Sequence, residues 1–340
     1  MTRNPIFPGL AFPLRALFVP AVCVLLPACK PNTNGSASPA PPATAAEAKA
    51  NPATATVQSK TAAGPNFSPE DIARLEAKAK QNDPEALIQL GRAYLEARGA
   101  AHDETTAADY FRKAADLGNW KAQKNLGLMY ATGRGVAKDP AEALNWLRRA
   151  AGQGAVIAQE DLATMLAQGQ LLPKDLKEAM NWYEKAADQG SMQARRALGR
   201  IYFFGEDGVT KDYALAEKWL KLAADQGDAW AQNTLGAMAE GGWGQKVDNK
   251  KALEWYLLSA EQGDARGQSN AARILGYDTN GIQEDKAEAY KWMVLSSEQG
   301  DTTASVPFAD YQFELNPQQL AEGRRRIMEY KKKHSVQAAR

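Results

Sequence analysis

Asp139-Pro-Ala-Glu-Ala-Leu-Asn-Trp-Leu-Arg-Arg-Ala-Ala-Gly-Gln-Gly154 decides the fold. It reads as one short helix with both ends marked. Asp139 is a capping residue, Pro140 suits a first helical turn, and Glu142 completes a capping-box-like pair. Ala143, Trp146 and Ala150 are three and four residues apart and so share a face. Gly154 stands where helices commonly end in a left-handed residue. Six copies of this stretch close on Gly118, Gly154, Gly190, Gly227, Gly263 and Gly300, at spacings of 36, 36, 37, 36 and 37 residues. Fifteen residues before each glycine stands an aspartate: Asp103, Asp139, Asp175, Asp212, Asp248 and Asp285. Eleven before stands an alanine, and eight before an aromatic: Tyr110, Trp146, Trp182, Trp219, Trp255 and Trp292. Such a period is the mark of a repeat architecture.

Each unit carries a second helical pattern upstream of this one. In Trp120–Thr132, Ala122, Leu126 and Tyr130 are four apart and make an apolar stripe. Ala86, Leu90 and Tyr94, and Ala194, Leu198 and Tyr202, repeat it. The residue after the leucine is small in every unit (Gly91, Gly127, Ala163, Gly199, Gly236, Ala272), which predicts close approach of the partner helix. The aromatic then fills the space between neighbouring pairs. Gly133-Arg-Gly-Val-Ala-Lys-Asp139 is the connection. One pair cannot bury both faces but stacked pairs can, so the expected architecture is an all-α superhelical solenoid.

The run Leu-Gly-x-x-Tyr, Gly-x-Gly-Val-x-x-Asp and Ala-x-x-Trp-x-x-x-Ala-Ala-x-x-Gly resembles the Sel-one-like repeat, a longer-looped relative of the tetratricopeptide repeat. The resemblance covers residues 84–300 in six units. It departs in unit six, with Ala271-Ala272 and Ser296-Ser297, and in loop three, with Gln170-Leu-Leu-Pro173. It implies a right-handed superhelix and a protein-interaction scaffold, often of bacterial envelopes or secreted factors. It also implies that first helices line the concave side. Three before and one after the small residue, that face would show Lys124, Arg196, Arg200, Asn233 and Arg273, with Arg92 in the first unit. This predicts a patchily basic groove for an acidic peptide or an anionic glycan. Trp230 and Trp243 lie off the repeated aromatic register, and Trp243, in Gly241-Gly-Trp-Gly244, reads as an exposed contact anchor.

The ends of the chain are different in kind. Residues 1–28 read as an export signal, with Arg3 and Arg15 before a 13-residue apolar core, Ala16–Ala28, too short for a comfortable membrane span. Leu26-Pro-Ala-Cys29 resembles the lipobox of bacterial lipoproteins, which implies lipidation of Cys29. The alternative is secretory cleavage after Ala28, leaving a free thiol. Lys30 after the cysteine resembles an outer-membrane address, facing the periplasm. Cys23 lies in the removable segment, so no disulfide forms within the mature chain. Residues 29–65 comprise this cysteine and a linker of Pro, Ala, Thr, Ser and Asn that cannot offset its ordering entropy. Fully flexible, it would average about 30–35 Å end to end. Ser68-Pro-Glu-Asp71 opens a capping helix over 66–83. After Gly300 the pattern decays into a terminal cap over 301–335, with Leu320, Ile327 and Met328 on one face, and a tail over 336–340. The cap ends in Arg324, Arg325, Arg326, Lys331, Lys332 and Lys333, read as a solvated helix end or as a contact for anionic lipid headgroups.

Composition names no partner. Two of the 41 basic residues precede Cys29, which leaves 39 against 40 acidic ones, so nucleic acid is not expected. No Walker loop, nucleophile elbow, His-Glu-x-x-His or cysteine pair occurs. The two histidines, His102 and His334, lie in a loop and in the basic tail, and the six aspartates fall in different units as caps rather than metal ligands. No enzyme, cofactor or metal is expected. The leading expectation is a lipid-anchored scaffold for protein partners. The alternatives are a cell-wall or anionic-polysaccharide module or envelope enzyme, and an exposed factor meeting host proteins.

Overall fold

The computed structural model describes residues 66–276, 282–300 and 315–338, with side chains as far as Ser335. The export signal, Cys29, the linker and residues 301–314 lie outside the described residues. Fourteen α-helices are described, and no β-strand among these residues. A leading helix, α1 (Pro69–Ala79), is followed by six helix pairs. They are α2 (Pro84–Glu96) with α3 (Glu104–Asp116), α4 (Trp120–Thr132) with α5 (Pro140–Gly152), and α6 (Val156–Gln168) with α7 (Leu176–Asp188). Then come α8 (Met192–Phe204) with α9 (Tyr213–Ala224), α10 (Ala229–Gly241) with α11 (Asn249–Glu261), and α12 (Ala265–Gly276) with α13 (Lys286–Glu298). A single long helix, α14 (Pro317–Ala338), packs on α13.

Local chemistry sets each boundary. All six register aspartates are N-caps whose carboxylates accept backbone N–H groups, as Asp139 does from Ala141 (2.9 Å) and Glu142 (3.1 Å). At α1, Ser68 and Asp71 form the reciprocal capping box. The closing glycines all lie at positive φ, between 82° and 94°. The first five are followed directly by the cap of the next helix: Asn119, Ser191, Asp228 and Asp264 accept N–H groups, and Ala155 alone of these five lacks a side-chain bond. In the connection, Gly133 is the left-handed C-cap of α4, while Gly135 serves a different purpose. A Cβ there would sit 2.0 Å from the carbonyl oxygen of Glu104, because the loop is pressed onto the start of the preceding unit's α3.

Packing follows the predicted logic and refines it. A Cβ added at Gly91, Gly127, Gly199 or Gly236 would fall within 2.6–2.9 Å of Phe111, Leu147, Leu220 or Tyr256. The side chain lying over the small residue is therefore the one after the register aromatic. The aromatics themselves are buried or half-buried. Trp146 joins the core formed by α2–α4, and Trp219 joins that of α4–α8, so these two indoles wedge back onto the preceding pair. Trp182 and Trp255 are half-buried, and Trp292 is fully buried.

Two expectations fail locally. Trp243 is not an exposed loop side chain: it packs edge-on against Phe203 (5.4 Å) and stacks on Tyr213 (6.4 Å), because Gly242 turns the chain back onto the preceding pair. In α14, Ile327 is buried and Leu320 packs on the core, but Met328 is 66% exposed. Met328 follows Ile327 directly, and consecutive helical side chains point about 100° apart.

Candidate functional site

The first helices, α2, α4, α6, α8, α10 and α12, form the face on which the sequence placed partner contacts. Lys124 reaches Asp161 on α6 at 2.9 Å. Arg196 reaches Asp228 at 3.4 Å and Gln193 at 2.7 Å. Arg200 pairs with Glu206, and Arg273 grips Glu240 on α10 with two bonds of 2.6 and 2.7 Å. Arg92 lies 3.9 Å from Glu96. Asn233 is buried at 2% exposure and accepts from the amide of Asn270 on α12 at 2.9 Å. The expected basic patches are therefore neutralised within the chain, and most of the pairing runs from one unit to the next. Trp230 is half-buried at the start of α10 and packs on the apolar cluster of α8–α10.

Beneath this surface two tyrosine hydroxyls find polar partners. Tyr183 shares a 3.0 Å bond with Thr164. Tyr256 donates to Glu240 at 2.8 Å, so Glu240 is held from two sides. Burial pushes both phenols above their ordinary range, and the Glu240 charge adds to the effect at Tyr256. Paired, half-buried carboxylates and guanidinium groups of this kind fix the relation between units.

A second polar feature escaped the sequence reading. Gln123, Gln159, Gln232 and Gln268, each five residues after a closing glycine, are buried. Each donates to a carbonyl at the end of the preceding helix: Ala115, Ala151, Ala224 and Ala260, at 3.0–3.3 Å. Arg195 takes the same role on Ala187 in the fourth unit. Gln153, Gln189, Gln262 and Gln299, each one residue before a closing glycine, then donate to those glutamines at 2.6–2.9 Å. The recurrence was present in the sequence, but glutamine carries no apolar signal and was passed over.

Among the described residues, no three His, Cys, Asp or Glu side chains come together to hold a metal. Nor is any described helix long and apolar enough to cross a membrane. His102 is exposed in its loop, 3.7 Å from Glu104. In the terminal helix, Arg326 is held by Asp285 and Glu288 of α13, Lys331 by Glu298 and Lys333 by Glu261. Arg325 bonds Glu322 and Glu329 on its own helix, and with Arg326 it holds the Glu322 carboxyl down at about 2.

Comparison with known proteins agrees with this geometry. The Sel1 repeat matches residues 84–119, 120–154, 156–191, 193–228, 231–264 and 265–301. A Sel1 repeat protein from Oxalobacter formigenes, known as a crystal structure, is 34% identical over 70% of this chain and 68% of its own, with a TM-score of 0.63. A protective antigen of uropathogenic Escherichia coli displaying an SLR fold is 30% identical over 79% of this chain and 64% of its own, with a TM-score of 0.42. No curated protein sequence matches. Sel1 repeat proteins are generally non-catalytic scaffolds for protein interaction. Six consecutive matches, in the register that the glycines, caps and small residues impose, establish that this chain belongs to the Sel1 repeat family.

Proposed function

We propose that this chain is a lipid-anchored scaffold of the bacterial envelope that recruits or positions other proteins along its first-helix face. The carrying observation is the uninterrupted series of first helices from α2 to α12, locked in one register by cross-unit polar bonds. Such a series presents one extended surface whose positions are fixed relative to each other. Its cations are spent on internal carboxylates, which favours a hydrogen-bonding polypeptide over a polyanion. The anchor rests on Leu26-Pro-Ala-Cys29, and Lys30 supports an outer-membrane, periplasm-facing address.

The test is site-specific photocrosslinking in intact cells. One probe replaces Ile157, 55% exposed on α6, and a comparison probe replaces Glu254, exposed on α11. The expected result is discrete protein adducts from position 157 and not from 254. Equal adducts from both positions, or adducts with cell-wall polysaccharide alone, would overturn the scaffold reading. Separately, Cys29→Ser should move the protein from the membrane fraction to the soluble envelope fraction. Retention in the membrane fraction would refute the anchor.

A further inference from the structure

Six cations stand between Arg324 and Lys333 in the second half of α14, and the structure divides them. Four are spent on carboxylates: Arg325 on Glu322 and Glu329, Arg326 on Asp285 and Glu288, Lys331 on Glu298, and Lys333 on Glu261. Arg324 and Lys332 are exposed and reach no carboxylate among the described residues. One helical turn from each stands Met328, at 66% the most exposed large apolar side chain among those described. The three lie at i, i+4 and i+8, so they form one outward stripe about 12 Å long. Glu329, the acid next to Met328, is engaged by Arg325. The inward face of the helix holds this stripe in place. Gly323 approaches α13 so closely that a Cβ would meet Tyr290 at 2.7 Å, Ile327 is buried, and Tyr330 donates to the Ala260 oxygen of α11 at 3.3 Å.

Exposed cations of the repeats lack this arrangement. Lys113, Arg149 and Lys185 lie over the rings of Tyr110, Trp146 and Trp182 at 5.8, 4.8 and 3.9 Å, and Asp116 and Asp188 follow two of them by three residues. On α14 the apolar side chain itself projects between the charges. A dissolved polyanion would satisfy the two cations but give the thioether nothing. A bilayer surface rewards both, because anionic headgroups receive the cations while the apolar tip enters the boundary between headgroups and acyl chains. The stems of Arg324 and Lys332 lie along that boundary with their charges outward. We propose that the Arg324–Met328–Lys332 stripe docks α14 on a membrane surface rich in anionic lipid. This goes beyond the lipid anchor and does not rest on it. An acyl group on Cys29 would tether the start of the mature chain, whereas the stripe lays the terminal helix on the surface.

Vesicle co-sedimentation tests this. Every sample is the full chain carrying Cys29→Ser, so no acyl group contributes and the two readings fail separately. The chain should partition onto phosphatidylglycerol vesicles at about 0.1 M salt and be released at about 0.5 M. Onto phosphatidylcholine vesicles it should partition far less. Arg324→Gln with Lys332→Gln should weaken partition about thirtyfold. Met328→Gln should weaken it about tenfold, through the lost apolar contact. Lys78→Gln with Lys80→Gln removes the same charge from exposed positions at α1 and should match the parent. Equal partition onto both lipids, or an equal loss in K78Q/K80Q, would overturn the proposal. The same samples are titrated with poly-glutamate, a soluble polyanion that offers no apolar phase. Binding there that matches the vesicles and ignores Met328 would overturn it in favour of an acidic polypeptide.

Discussion

Replacing Gly135 by alanine isolates what the second glycine of the Gly-x-Gly connection does. Gly135 has φ of 66°, where an L-residue costs about 1–2 kcal/mol. Its new Cβ would also meet the Glu104 oxygen at 2.0 Å, the Glu104 carbonyl carbon at 2.4 Å and the Thr105 nitrogen at 3.0 Å. These are backbone atoms of a capped helix start and cannot swing aside as a side-chain end would. Forcing atoms into such a contact costs about 1–3 kcal/mol more. Gly154 supplies the control. It has φ of 86° but nothing within 4 Å of an added Cβ, so Gly154→Ala bears the backbone term alone. The two variants should therefore differ by about 1–3 kcal/mol, with G135A the worse. Because a solenoid need not unfold in one step, urea unfolding should be paired with amide exchange over α3 and α4. If G135A lies within about 0.5 kcal/mol of G154A, the loop is not pressed onto α3 and the account of unit-to-unit contact fails.

Three further outcomes follow from the same structure. Asp139→Ala removes the bonds to the Ala141 and Glu142 amides and should cost about 1 kcal/mol in thermal melting; no loss would deny the capping role of the register aspartates. Gln159→Leu removes the bond to the Ala151 oxygen and the bond from the Gln189 amide, both of which keep one other partner, and should cost about 1–2 kcal/mol. The pair Q159L/Q189L should cost less than the sum, since the first unit carries Leu87 and Leu117 at the corresponding positions; strict additivity would refute the ladder. Glu178 is held below the usual carboxylate range, chiefly by its hydrogen bond from Arg148. A depressed carboxyl stabilises the fold above its unfolded value and loses that contribution as pH falls through the folded one. Arg148→Met should therefore flatten the acid limb of the melting-temperature profile between about pH 5 and pH 3, and an unchanged limb would count against the pair.

What the sequence made legible was whatever repeats with a local physical cause. Capping needs an oxygen two or three residues before an amide, so Asp139 announces a helix start wherever it stands. Helix approach needs a missing side chain, so Gly127 and Gly199 announce a close partner. Trp243 was misread for the complementary reason. Its glycine-rich surroundings describe a turn, but whether the turn points outward depends on Phe203 and Tyr213, which lie one unit earlier. The buried glutamines were also periodic, yet polar periodicity has meaning only once a carbonyl is known to wait at the end of the preceding helix.

Charge on the first-helix face shows where single-position reading fails in a solenoid. Lys124, Arg196 and Arg273 each looked free because no acid stands one helical turn away that would account for them. Their partners are Asp161, Asp228 and Glu240, between 32 and 37 residues distant, which is one structural period. In a stacked array the residue one period away is as close as the residue one turn away. The relevant neighbour of a surface charge is then its counterpart in the adjoining unit. The direction of pairing even reverses along the chain: Lys124 and Arg196 reach forward to an acid, whereas Arg273 reaches back to Glu240. A face read position by position sums to patches of positive charge, while the same face read by period sums to bridges. That difference turns a row of apparently free cations into a row of internal bridges, and it is the reason for proposing a polypeptide rather than a polyanion as the partner.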